Sequence, residues 1–241
     1  MSNITQPTSL YKSETSKHRE IVAPYCTGVG MDIGFGGDPV SLTALRMDLP
    51  QPYAFTGEFP VQLPGDCRDL RWLRDDVLDY VYSSHVLEDF DENETEPVMR
   101  EWSRVLRVGG RLILLLPDQQ RYLAYCQSVG IKGNPHHSIA HFSINYVLDI
   151  ASRLGNLESE AQQLDLGDYS FALVLKKIKS VSAINETEDL RTKVHAAWRE
   201  RDELKLAVRD RENKLQQMRI GNLAHKAARV LRRIISGGEK K

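Results

Sequence analysis

The segment Gly30-Met31-Asp32-Ile33-Gly34-Phe35-Gly36-Gly37-Asp38 constrains this chain more than any other stretch. Apolar residues run into an acid and then into closely spaced glycines. Glycine lacks a Cβ, so the backbone can turn sharply at the end of a strand and lie close against a ligand. An acid at the strand tip can fix backbone amides or a ligand amine. An open parallel sheet makes nucleotide and nucleoside pockets in this way, at the carboxyl ends of its strands. A purely structural glycine turn after a buried strand gives the same pattern, so the rest of the chain has to decide between the two.

That rest alternates between strand and helix signals. Residues 29–33 form the first expected strand. Asp38-Pro39 has the form of a helix start, the acid as N-cap and the proline at the first helical position. The helix must be short, because residues 44–48 already read as a second strand tipped by Asp48. Pro50, Pro52, Pro60 and Pro64 predict irregular chain over residues 49–64. Residues 78–82 form the third strand and residues 94–106 a helix, with Val98, Trp102, Val105 and Leu106 at helical spacing and Gly109-Gly110 closing it. The Leu/Ile run at 111–116 has the composition of a strand buried on both faces. Helices at 119–126 and 143–154 and two antiparallel strands near 157–164 and 169–178 complete the order. The fold class is α/β: a doubly wound, Rossmann-like, mostly parallel sheet with a terminal antiparallel hairpin.

At 241 residues, 41% apolar and 27% charged, the chain has enough material for one α/β core and an appendage. Cys26, Cys67 and Cys126 have no metal-ligand spacing and read as reduced thiols, which suits a cytoplasmic setting. The first twenty residues are polar and mixed in charge, unlike a signal peptide. The formal net charge of −1 hides an asymmetry: residues 1–185 carry a net −7 and residues 186–241 a net +6. An acidic body argues against nucleic acid as a partner, since neutralising phosphates needs a basic face.

With these elements in order, the chain resembles a class I S-adenosylmethionine-dependent methyltransferase of the broad type that modifies small molecules and glycans. The resemblance covers roughly residues 20–178. It is carried by Asp32 to Gly37, by Asp48 ending the second strand, and by Gly65-Asp66-Cys67-Arg68-Asp69-Leu70. Leu78-Asp79-Tyr80-Val81-Tyr82-Ser83-Ser84-His85-Val86-Leu87-Glu88 and the stretch from Arg104 through Gly109-Gly110 to Leu114 complete it. It implies S-adenosylmethionine as cofactor, with Asp32 and the backbone of Gly34, Gly36 and Gly37 lining the methionine portion. It implies Asp48 on the ribose hydroxyls, Asp66 and the backbone of Cys67 at the adenine, and Ser84 near the sulfonium. Two departures stand out: Asp38 occupies the place of a frequent third glycine, and the first helix is shortened. A dinucleotide-dependent oxidoreductase is the rival reading, but Gly-x-Gly-x-x-Gly spacing is absent and no third glycine opens a helix to seat a pyrophosphate. The Asn/Asp-Pro-Pro-aromatic segment typical of amino-group methylation of nucleic acids is replaced here by Ser83-Ser84-His85-Val86.

Methyl transfer to a hydroxyl needs proximity, alignment and a base, and histidine is the usual base near neutral pH. His136, His137 and His141 fall within six positions behind the helix-breaking Asn134-Pro135, on the expected acceptor side. They are read either as a site or as hydrogen-bonded loop anchors. The cluster lacks a nearby carboxylate in sequence, so no metal is expected. His85 is a further candidate, and Asp118 could orient a histidine or cap the following helix. A catalytically inactive, methyltransferase-like scaffold is the alternative to an enzyme.

Beyond the body, Leu190, Val194, Ala197, Leu204, Val208, Leu215 and Met218 follow three- and four-residue steps, with Arg201 and Arg211 in the same series. This predicts a long helix able to pair chains over residues 181–220. Residues 221–241 predict a short basic amphipathic helix that could lie on an anionic membrane or on the acidic body. The expected organisation is therefore a flexible segment 1–19, a methyltransferase domain 20–180, and this two-part tail. The layout resembles enzymes of surface-polysaccharide assembly acting on lipid-linked glycans at the cytoplasmic membrane face.

Overall fold

The computed structural model describes residues 13–52 and 57–180, together with the exposed helical positions Glu200, Glu203, Ala207, Arg211 and Lys214. Two compact units divide the chain at residues 1–182 and 183–241. The first holds β1 (Gly30–Ile33), β2 (Leu45–Asp48), β3 (Leu63–Pro64), β4 (Leu78–Ser84), β5 (Leu106–Pro117), β6 (Leu157–Gln163) and β7 (Ser170–Lys177). They form one sheet in the order β3-β2-β1-β4-β5-β7-β6, parallel from β3 to β5, with β7 antiparallel to both β5 and β6. This is the expected doubly wound sheet with its terminal hairpin.

Burial on both faces follows from the alternation along β5. Leu112, Leu114 and Leu116 face a core built with α2 (Glu92–Val105) and α4 (Ile144–Leu154), while Ile113 and Leu115 face one that includes Val22, Tyr80 and Tyr82. The helix expected over 94–106 ends earlier, and Gly109-Gly110 lie inside β5. The pairing passes from Leu78↔Leu106 to Tyr80↔Arg111, so the extra residues of β5 bulge out there. Gly109 has φ +84°, and a Cβ at Gly110 would stand 2.9 Å from the Arg107 carbonyl. Glycine at this pair makes the bulge and does not stop the helix.

Three expectations need correction. No helix forms after Asp38-Pro39: residues 34–44 cross from β1 to β2 as turns, because the Asp38 carboxylate is bound by Ser13 Oγ and Arg19. Val40 donates its N–H back to Asp32 Oδ2 at 2.6 Å. The proline-rich stretch contains a two-residue strand, β3, where Pro64 is tolerated because the strand is an edge. Residues 14–19 are not a flexible segment but part of α1 (Glu14–Val22), capped by Ser13 Oγ and burying Thr15, His18 and Val22. The heptad series and the basic helix of the tail lie outside the described residues except at the five positions above. Among the described residues, no helix is long and apolar enough to cross a membrane.

Candidate functional site

The carboxyl ends of β1, β2 and β4 gather most of the candidate residues along one edge of the sheet. Gly34, Gly36 and Gly37 all have positive φ, between 59° and 86°, in the turn that leaves β1. A Cβ at Gly34 would also stand 2.2 Å from Val86 Cγ2. The turn is tied down on both sides. Gly36 N–H donates to Asp48 Oδ2 at 3.1 Å, and the carbonyls of Gly36 and Gly37 accept from Gly57 and Phe59.

Asp32 is fully buried. One carboxylate oxygen holds the Val40 N–H, and the other has no partner among the described residues. Burial pushes its carboxyl well above the ordinary value of 3.8; the Val40 bond works against that and the charges of Asp38 and Asp48 add to it. Asp48 is half-buried, and burial also raises its carboxyl despite the bonds from Gly36 and Leu49. Each of its oxygens has accepted one bond, which leaves lone pairs for a diol.

Asp66 and Cys67 are more committed than the sequence suggested. Arg68 grips Asp66 through Nε at 2.9 and 3.0 Å and through Nη2 at 2.5 Å, while its Nη1 reaches Glu94 Oε1 at 2.9 Å. The Cys67 carbonyl accepts the indole N–H of buried Trp102 at 2.9 Å. Burial pushes the Cys26 and Cys67 thiols up, which keeps both from acting as nucleophiles. Ser84 ends β4 with its hydroxyl buried close to that of Tyr82.

The histidine candidates separate. His136 and His141 face solvent, the latter 3.5 Å from Glu92. His137 turns inward: its side chain is 6% exposed, Nδ1 lies 2.8 Å from Gln119 Oε1, and the Tyr122 ring packs on it at 4.8 Å. His85 follows β4 with φ +53°, a left-handed conformation uncommon outside glycine. Its Nδ1 stands 3.3 Å from Glu88 Oε1 and its Nε2 3.3 Å from Ser170 Oγ. Burial acts to lower the His85 imidazole, but the Glu88 hydrogen bond and the charges of Glu88 and Glu14 outweigh it, so it titrates above the ordinary 6.5. Burial dominates at His137, which titrates below 6.5. Asp118 does not orient a histidine. Its carboxylate caps α3 (Gln119–Val129) through the N–H groups of Gln120 and Arg121 at 3.1 Å each.

Sequence reasoning missed Glu88, which is 1% exposed and sits between His85 and His137. It was visible only as the last residue of the stretch from Leu78, with nothing to show that it turns inward. Reasoning also missed α1. Its Glu14 accepts from the Tyr169 hydroxyl at 3.1 Å, and its His18 meets Asp168 at 2.9 Å. Ligating atoms of Glu14, His18 and Asp168 lie within 4.8 Å of one another, a grouping in which Lys17 also bonds Glu14 at 2.7 Å.

Residues 28–114 match the family model of a methyltransferase domain. The domain indicates S-adenosylmethionine as the cofactor. No curated protein matches the chain. Among solved structures, a Pyrococcus horikoshii protein aligns with a TM-score of 0.54 at 20% identity, over 70% of this chain and 92% of the other. An S-adenosylmethionine-dependent methyltransferase of Thermotoga maritima, described as a possible histamine N-methyltransferase, aligns with 0.52 at 18% identity, over 69% and 90%. A methyltransferase of Archaeoglobus fulgidus aligns with 0.50 at 17% identity, over 68% and 97%. At these identities the likeness establishes the fold. The residues present fit the cofactor. The unpaired buried oxygen of Asp32 suits a cationic donor, the glycine turn lies beside it, and Asp48 keeps acceptor capacity at the tip of the next strand.

Proposed function

We propose that this chain is an S-adenosylmethionine-dependent O-methyltransferase whose acceptor is a sugar or another small hydroxyl compound, including a lipid-linked glycan. When bound, the cofactor supplies a methyl group: the C–O bond to the acceptor forms as the C–S bond breaks, and that electron pair stays on sulfur. Asp32 and the turn through Gly34, Gly36 and Gly37 would hold its methionine portion, Asp48 its ribose, Asp66 and Cys67 its adenine, and Ser84 would serve the sulfonium side. The observation that carries hydroxyl chemistry is the convergence of His85 and His137 on buried Glu88 just beyond β4. A hydroxyl loses a proton as it is methylated, and a histidine of this pair receives it. His136 and His141, both facing solvent, are left as contacts to the acceptor's outer part.

The sugar assignment draws support from an aromatic wall beside the histidines. Tyr169 packs edge-on against Tyr122 at 5.1 Å, and Tyr125, itself 44% exposed, lies at the same distance from it. Such rings offer apolar faces with hydroxyl tips, which suits a partly hydrated ring ligand. The basic amphipathic pattern at 221–241 supports a location at the inner face of an anionic membrane, and the heptad series supports pairing of chains.

Isothermal titration with S-adenosylmethionine and with its demethylated product tests the reading. Micromolar-range binding is expected, lost in Asp48→Ala. Candidate glycans incubated with enzyme and cofactor should gain the mass of one methylene. No heat with either ligand in folded protein would leave the scaffold alternative.

A further inference from the structure

Resting on the O-methylation reading, we propose that His137 takes the acceptor's proton at Nε2, that Gln119 sets its tautomer, and that His85 is the fixed counter-ion of Glu88. Gln119 is 4% exposed and opens α3, where its own N–H donates to the Phe142 carbonyl at 2.9 Å. This fixes the backbone from which the side chain extends. Its Oε1 accepts from His137 Nδ1–H at 2.8 Å, so the neutral imidazole carries its proton on Nδ1 and presents a bare Nε2. The nearest acids to that nitrogen, Glu88 Oε1 and Asp89 Oδ1, stand at 3.8 Å. That is beyond hydrogen-bond reach but close enough to stabilise an imidazolium once it forms.

His85 is differently placed. Its Nδ1 faces the same Glu88 oxygen at 3.3 Å, and its Nε2 lies 3.3 Å from Ser170 Oγ, with the charge of Glu14 Oε2 at 3.9 Å. A buried carboxylate needs a partner, and His85 is the nearer of the two imidazoles. The groups facing His85 are Glu88, Glu14 and Lys17, with the Tyr169 ring edge-on; those facing His137 are Glu88, Asp89, His85, His136 and the Tyr122 ring. Two like groups whose surroundings move them in opposite directions divide acid and base roles between them. Here the lowered one, His137, frees its lone pair at a lower pH than the raised one, His85.

Histidine-selective 15N NMR on the full-length, cofactor-free protein tests this without turnover. His137 should appear as the Nδ1–H tautomer with a midpoint below 6.5, and His85 should titrate above 6.5. Glu88→Gln should lower the His85 midpoint while leaving the His137 tautomer unchanged. Gln119→Leu should erase the Nδ1–H preference, and Gln119→Glu, which restores an acceptor, should recover it. Far-UV circular dichroism and the remaining histidine signals report folding of each variant. With an acceptor found by its mass gain, His137→Ala should lower kcat by on the order of 10²-fold and spare cofactor affinity. An Nε2–H tautomer, or an imidazolium at neutral pH, for His137 would overturn the proposal even if the cofactor binds. Absence of cofactor binding with the expected tautomers would instead sink the O-methylation reading.

Discussion

Asp32 and Asp48 stand at the tips of neighbouring strands, and burial raises both carboxyls. Burial favours the protonated acid, so an ammonium meeting the second oxygen of Asp32 should favour loss of that proton. Binding of S-adenosylmethionine should therefore release protons and tighten with rising pH. Titration in buffers of different ionisation enthalpy measures this, and Asp32→Asn should abolish the release. His137 gives a second prediction with its own sign. A base must be unprotonated, and burial places its midpoint below 6.5. The kcat profile should be flat at neutral pH and fall as the pH drops through that midpoint, with a slope absent in His137→Gln. Asp32 and Asp48 were legible as candidate site acids because an acid before glycines, or at a strand tip, is a local pattern. Glu88 was not, since its role depends on which way a short turn (Leu87–Asp89) directs its side chain.

Among the elements, α1 and α2 hold the site by different means. α2 is an amphipathic helix with a capping box at Asp91 and Glu94, and it buries Val98, Met99 and Trp102. Trp102→Ala removes a fully buried indole and the bond to Cys67 O, and should cost about 3–5 kcal/mol in urea unfolding. α1 is held mostly by polar contacts: Thr15 to the Tyr82 hydroxyl at 3.1 Å, His18 to Asp168, and Arg19 to Asp38. Its buried stripe contains one aliphatic residue, Val22, so apolar periodicity could not reveal it. Arg19 is 36% exposed, and a pair of that kind contributes about 0–1 kcal/mol to stability. Arg19→Ala should thus barely shift the unfolding midpoint. It should weaken cofactor binding several-fold, because Asp38 closes the glycine turn; equal affinity in calorimetry would show that the turn holds without α1.

For the whole molecule, the compact unit ending at residue 182 should fold and bind cofactor without the tail. Light scattering and flotation with anionic vesicles on the full chain and on residues 1–182 should show a smaller oligomer and lost vesicle binding for the shorter protein, with salt weakening the latter in the full chain. The acid limb of stability belongs to the same unit. Lys177, 1% exposed, donates to Asp76 at 2.7 Å and to the Leu106 carbonyl at 2.6 Å. Burial works to raise the Asp76 carboxyl, but bonds from Lys177 and Ser180 hold it below 3.8. A depressed carboxyl adds stability that is complete above its unfolded value and disappears as pH falls through the folded one. Asp76→Asn should flatten that acid-side loss in urea unfolding measured across pH. By itself the sequence determined the order of strands and helices from β4 to β7, the buried run of β5 and the acid-glycine turn, because each is written in contiguous residues through propensity, period and glycine's freedom. The tertiary structure alone decided that Ser13 and Arg19 bind Asp38 where a helix start was expected, that one of three clustered histidines turns inward, and that Glu88 lies between it and His85. The first two outcomes depend on pairs such as Arg19 with Asp38 and His137 with Glu88, 19 and 49 positions apart, and no local pattern encodes which partner wins.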